Sequence, residues 1–235
     1  MTAADFDPVA ALYASARPSY PREVVDWLVP QTAGTVADVG AGTGLFTRLL
    51  ERPGRTIVAI EPSAAMLDEL RVAIPHAVAM QGTGERMPLA EASIDAVVFA
   101  QAWHWVDVGT ATAEVARVLR PGGTLGLVWN LRDERVPWVR ALGAAMRADG
   151  DHYRGEVDDP LVGDGFEGPE RRYVEWMREC TRSEILADVR SRSYFALLSP
   201  AEQDAVLADV SAVLPEAEPI ALPYVTAAFR YVGPN

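Results

Sequence analysis

Asp38, Gly40, Gly42, Gly44 and Glu61 are the residues whose types and spacing point most directly to chemistry. The apolar run Val36-Ala37-Asp38-Val39 breaks into three alternating glycines, which let the chain turn without Cβ clashes and let a ligand approach the backbone closely. β-branched Val36 and Val39 suit a buried parallel strand, and a helix is expected over residues 45–50, ended by Pro53-Gly54. The N–H groups opening that helix are expected to face the crevice. A second cluster, Gln101-Ala102-Trp103-His104-Trp105, follows another apolar run, Ile94–Ala100. An unperturbed imidazole pKa of about 6.5 suits moving a proton near neutrality, which makes His104 a candidate acid or base.

A dinucleotide fingerprint requires G-x-G-x-x-G, but Leu45 stands where its third glycine would fall, which argues against a NAD-linked reductase. The segment D-V-G-A-G-T-G, with Glu61 closing the next strand, resembles motif I and the following acid of class I S-adenosylmethionine-dependent methyltransferases. Further segments resemble the same family in order. Gly82-Thr83-Gly84-Glu85-Arg86-Met87-Pro88 is similar to its G-D-A-E-x-L-P segment, with Thr83 in place of the acid. Ser93-Ile94-Asp95 resembles motif II, and Leu119-Arg120-Pro121-Gly122-Gly123-Thr124-Leu125 resembles motif III. Tyr13-x-x-x-Arg17-Pro18-x-Tyr20-Pro21 is similar to the N-terminal cap of the type-11 methyltransferase-domain group.

The resemblance implies a doubly wound α/β fold, with a seven-stranded, mostly parallel sheet and an antiparallel last strand. It implies S-adenosyl-L-methionine as cofactor and S-adenosyl-L-homocysteine as product. The cofactor contacts it implies are Asp38, Gly40, Ala41, Gly42, Gly44, Glu61 and Pro62, with Glu61 accepting the ribose hydroxyls. Thr83, Gly84 and Glu85 are expected at the adenine, and Met66 either there or in the core. Gln101 and Arg17 are expected at the amino-acid end. Tyr13, Tyr20, Trp103 and Trp105 are candidate substrate contacts, the two tyrosines equally readable as packing aromatics. His104 stands as a candidate catalytic residue beside two other readings: a packing histidine, or a group that only positions a carboxylate acceptor, which needs no base.

The remaining strands are expected over residues 76–81, 124–131 and 173–180 and over Ile220–Val232, where Pro223 suggests an edge position. Helices are expected over Arg22–Leu28, after the N-cap Ser63, over residues 110–119 and 136–148, and after capping boxes at Thr181 and Ser199. Residues 149–170, rich in Gly, Asp and Pro, read as a long excursion that can lid a substrate site. Arg190 to Tyr194 reads as a solvated helix face, although similar segments lie near the substrate pocket in relatives. We read residues 1–235 as one methyltransferase domain: a helical cap (1–30), a cofactor-binding core (31–131) and a substrate side (132–235).

Composition sets the outer bounds. The chain has 235 residues, 49% of them hydrophobic, which is enough for a full core. No run is long and apolar enough for a membrane span and no secretory signal is visible, so a cytoplasmic location is expected. A net charge of −12 opposes nucleic-acid binding, and all 21 cations are arginine. Cys180 is alone and the three histidines are scattered, so neither a disulfide nor a metal site is expected. The function expected is methyl transfer to a small-molecule acceptor, a carboxylate or a hydroxyl. The alternatives are a cofactor-binding protein without turnover and a methyltransferase acting on RNA or protein.

Overall fold

The computed structural model describes residues 17–147 and 152–234. The first expected helix, with Phe6, Val9, Leu12 and Tyr13, lies outside the described residues, as do residues 148–151.

The sheet runs in the order β3-β2-β1-β4-β5-β8-β7. Its strands are β1 (Thr35–Val39), β2 (Thr56–Glu61), β3 (Val78–Gln81), β4 (Ile94–Ala100), β5 (Leu119–Asp133), β7 (Glu167–Cys180) and β8 (Ile220–Val232), with the two-residue β6 (His152–Tyr153) beside β5. The first five are parallel to one another, and β8 runs antiparallel between β5 and β7. This is the doubly wound, mostly parallel α/β architecture expected, with antiparallel strands at the C-terminal end. Strand order reverses between β1 and β4, the switch point where such sheets open a crevice at their carboxyl ends.

Alternating side chains of β1 feed two cores. Val36 packs with α1 (Arg22–Leu28), Phe46 and Leu50 on one face, while Ala37 and Val39 pack with Phe99 and α3 (Val108–Val118) on the other. The helix α2 (Ala64–Ala73) is capped by Ser63, whose side chain accepts from the Met66 N–H. A third core joins α4 (Pro137–Met146), α5 (Arg182–Arg190), the short α6 (Ser193–Ala196) and α7 (Pro200–Val213) to the start of β8, and it buries Cys180. Both expected capping boxes are present, at Thr181 and Ser199.

Four expectations change. The helix after the glycines is only a 3-10 turn, Thr47–Leu50. Pro53 disfavours helical backbone at Arg52, and the Arg55 guanidinium donates to the carbonyls of Pro30, Ala33 and Leu50, closing the turn early. Pro121-Gly122-Gly123 lies in a bulged start of β5. β8 is not an edge strand. Pro223 fits because β5 pairing ends at Tyr224, so the N–H that proline lacks is not needed on that side. Finally, Ser191 and Arg192 are buried, so this stretch is not a solvated face.

Candidate functional site

Gly40, Gly42 and Gly44 all have positive φ, at 70°, 56° and 88°. A Cβ on Gly40 would stand 2.6 Å from the Ala102 Cβ, so the loop after β1 is pressed against the loop after β4. The N–H groups of the loop itself are largely used within the fold. Gly40 and Ala41 donate to the Ile60 carbonyl, Gly42 to Glu61 and Gly44 to Ala41, so the loop spends these donors on its own shape.

Glu61, buried at the end of β2, accepts from the Gly42 N–H at 2.9 Å and from the Ser63 N–H at 3.0 Å. These two backbone bonds orient the carboxylate. Asp38 is fully buried beneath the loop. Its Oδ2 accepts from the Thr47 hydroxyl, while Oδ1 has no hydrogen-bond partner among the described residues. Burial above all, with the nearby Glu61 carboxylate adding to it against the Thr47 hydrogen bond, pushes its pKa up to about 7.

Gln101 follows β4 with φ at 55°, in a region costly for a residue with a side chain. Its backbone N–H donates to Val128 and its side-chain amide N–H to the Asn130 carbonyl, leaving Oε1 buried without a hydrogen-bond partner among the described residues. Backbone strain and an unsatisfied buried acceptor coincide at this residue.

Across the β3 end, Thr83 and Arg86 close a tight two-way turn, with Thr83 exposed. Gly84 is buried where a Cβ would meet Phe99 and Val106 at 2.9 Å, and Glu85 accepts from the Asp107 N–H. Pro62 is half-buried and receives the Gln81 amide on its carbonyl, while Met66 is buried and Ala41 packs with Ala59 and Leu70. The structure thus aligns the ends of β3, β2, β1 and β4, with Thr83–Glu85, Glu61–Pro62, Gly40–Gly44 and Gln101 in that order.

The candidate substrate residues separate. Tyr20 packs edge-on against Phe46 and lines a small cavity beside Leu45 and Gln101, with Arg17 and Pro18. Trp103 is a core residue rather than a wall of the cleft: it is 3% exposed, meets Phe99 edge-to-face and donates its indole N–H to the Leu161 carbonyl. Trp105 is 52% exposed and stacks obliquely on the exposed His104 ring. The Trp129 indole N–H faces His104 Nδ1 at 3.4 Å, a long hydrogen bond.

The other wall of the cavity is Asn130, Arg132, Arg192 and Tyr224; sequence reasoning missed Asn130, Arg132 and Tyr224 and read Arg192 as part of a solvated face. Arg132 and Asn130 follow the fifth strand's apolar run, where the rule for carboxyl ends would have pointed to them. Arg192 lies in the segment whose resemblance to pocket-side stretches of relatives stands beside the solvated-face reading, and Tyr224 comes from a distant strand and carries no local signal. Asp188 binds both Arg192 (3.3 Å) and Arg17 (3.6 Å). Its burial would raise the carboxyl pKa, but Arg192, Arg17, Arg132 and Arg178 outweigh it and hold the group below the usual carboxylate range. Arg17 therefore sits at this arginine cluster.

The donor and acceptor set fits S-adenosylmethionine: an acceptor at Glu61 for ribose hydroxyls, unsatisfied acceptors at Asp38 and Gln101 for an ammonium, and a loop with glycine at 40, 42 and 44 between them. No group of residues suited to a metal ion occurs among the described residues.

Comparison with known proteins agrees with this geometry. Residues 37–127 match the family model described as a methyltransferase domain. A relative from Mycobacterium tuberculosis, itself named an uncharacterized methyltransferase, is 48% identical over 233 residues, covering 96% of this chain and 94% of its own. A Schizosaccharomyces pombe protein named as an uncharacterized methyltransferase-like protein is 37% identical over 146 residues, or 60% of this chain and 57% of its own. Among solved structures, one from Anaeromyxobacter dehalogenans, provisionally assigned as a type II methyltransferase, superposes with a TM-score of 0.62 at 21% identity, over 93% of this chain and 99% of that one. The chain belongs to the class I S-adenosylmethionine-dependent methyltransferases.

Proposed function

We propose that the crevice binds S-adenosylmethionine and that the enzyme methylates a small-molecule acceptor, a carboxylate or a hydroxyl, at the cavity between Gln101, Tyr20 and Asn130. The observation that carries the reading is the Glu61 carboxylate, held by two backbone N–H groups at the end of β2 and facing the glycine loop. Thr83, Gly84 and Glu85 are assigned to the adenine side, Glu61 to the ribose, and Asp38 and Gln101 to the ammonium. The cofactor supplies an electrophilic methyl group on a sulfonium.

What this chain contributes is alignment and exclusion of water. An in-line displacement gains most from holding acceptor and methyl at reacting distance in a dry site. Asn130 helps set that geometry. Its Nδ2 donates to the Ser19 carbonyl and its Oδ1 accepts from Thr226, tying the segment that enters from the cap to β5 and β8. His104 is assigned a positioning role. With the indole N–H of Trp129 directed at Nδ1, the neutral ring carries its proton on Nε2 and offers a donor there rather than a base.

The test is calorimetric titration of the protein with S-adenosylmethionine, S-adenosylhomocysteine and NADH in parallel. Micromolar binding of the first two and none of the third is the expected result. Failure of both adenosyl ligands to bind would overturn the assignment.

A further inference from the structure

We propose that the amino ends of β2 and β3 carry a second binding site, which takes a phosphate group in an open cavity walled by Arg52, Arg55 and His76. The site lies at the end of the sheet opposite the glycine loop and stands independently of the cofactor reading.

Two turns build the cavity. Residues 51–55 lead into β2, and His76 stands two residues before β3. The space is about 360 Å³, against about 30 Å³ for the cavity beside Gln101, and it falls in the range that holds small organic ligands. The length of β2 separates it from Glu61, roughly 17 Å at about 3.3 Å per residue. A ligand here does not touch the groups assigned to methyl transfer.

The charge of the wall points to an anion. Arg22 and Arg52 both pair with one carboxylate, Asp26, the former at 2.9 Å. Arg55 has no ion-pair partner among the described residues. Its Nε, Nη1 and Nη2 donate to the carbonyls of Ala33, Leu50 and Pro30, each at 3.0 Å. Carbonyls satisfy N–H groups without neutralising the charge. Glu51 also lines the cavity, with His76 Nε2 at 3.3 Å. Three guanidiniums therefore face two carboxylates, leaving the cluster positive in a chain of net charge −12. Burial, then the neighbouring Arg52 and Arg22, push the Arg55 pKa down, and Asp26 opposes them only in part.

Geometry narrows the anion. The three carbonyl bonds pin the Arg55 fork in place, so little side-chain freedom is lost when a ligand arrives. A carboxylate matches one such fork in one plane. A phosphate has three terminal oxygens and can bridge donors arriving from both turns. The same chemistry admits inorganic phosphate and the phosphate of an organic ester, for which Pro53 and Ile57 supply apolar surface.

The experiment is calorimetric titration of the full chain, in phosphate-free buffer with about 0.1 M sodium chloride. The probes are inorganic phosphate, ribose 5-phosphate, ribose and acetate. At least one of the two phosphates is expected to bind about ten-fold or more tightly than ribose and acetate, the tighter one naming the source. Arg52→Met leaves Asp26 paired with Arg22 and is expected to weaken that binding about ten-fold, while S-adenosylhomocysteine affinity stays within two-fold. If Arg52→Met does not fold, His76→Ala at the exposed rim carries the test, with a loss of about three-fold or more. Phosphates binding no more tightly than acetate would overturn the proposal, as would phosphate affinity unchanged in the folded variant. Phosphate binding abolished by saturating S-adenosylhomocysteine would place the anion in the cofactor crevice and overturn the second site.

Discussion

Thr47 donates a 2.6 Å hydrogen bond from its hydroxyl to Asp38, a fully buried carboxyl directly beneath the glycine loop. This bond does not offset burial, so the Asp38 pKa rises from 3.8 to about 7. The folded protein therefore holds a proton that the unfolded chain has released. Stability contributed at this site falls as pH rises from about 4 to 7 and is constant above that window. A rise of this size corresponds to a loss on the order of 4 kcal/mol across the window. Asp38→Asn removes the titration. Urea unfolding between pH 4 and 8 is expected to show the wild type losing stability relative to the variant as pH rises. Parallel curves would show that Asp38 does not titrate in this range.

Glu61 serves two purposes that one substitution can separate. Its oxygens hold the Gly42 and Ser63 N–H groups, and the same carboxylate is assigned to the ribose in the proposed complex. Glu61→Gln keeps one acceptor oxygen but brings donors where acceptors are needed, so S-adenosylhomocysteine affinity is expected to fall ten- to a hundred-fold, in line with about 1.5–3 kcal/mol for a hydrogen bond to a charged group. Calorimetry measures it. Affinity within two-fold of wild type would take Glu61 out of the ligand site.

The crowding between Gly40 and Ala102 gives a prediction about stability. Gly40→Ala combines a clash at 2.6 Å with a φ of 70°, and left-handed backbone costs an L-residue roughly 1–2 kcal/mol before the clash is counted. The variant is expected to lose about 2–4 kcal/mol in urea unfolding. Adding Ala102→Gly should recover the steric part and leave the backbone part, so the double variant falls between the two. Full recovery would mean that φ at this position carries no strain.

The parts legible in sequence were those encoded locally. The glycine spacing, Glu61 at a strand end and the apolar runs of β1 and β4 located the glycine-loop side of the crevice, because each depends on neighbours within a few residues. The N-caps at Ser63, Thr181 and Ser199 were readable for the same reason. The acceptor half was not. Arg192 and Tyr224 meet Arg132 and Gln101 only through the packing of α5 and β8, and a buried arginine beside a buried aspartate has the same sequence appearance as a solvated i, i+4 pair. Trp103 misled for the opposite reason. Two tryptophans flanking a histidine look like one feature, yet the turn at Trp103–Trp105 sends the first into the core and the second to the surface.

His104 provides the sharpest test of how the acceptor is activated. Its Nδ1 faces the Trp129 indole N–H, an arrangement that keeps the outer nitrogen protonated in the neutral ring. If the acceptor is already an anion, no proton has to leave it, and His104 has only to orient it. His104→Ala is then expected to lower kcat/KM less than ten-fold, whereas removal of a general base typically costs 10²- to 10⁴-fold. Trp129→Phe, which removes the indole donor and leaves an aromatic ring against Phe229, should have an effect no larger than that of His104→Ala. The measurement is steady-state methyl transfer at saturating S-adenosylmethionine. A loss above a hundred-fold in His104→Ala, recovered by raising pH so that the acceptor ionises without help, would instead establish the histidine as the base and point to a hydroxyl acceptor.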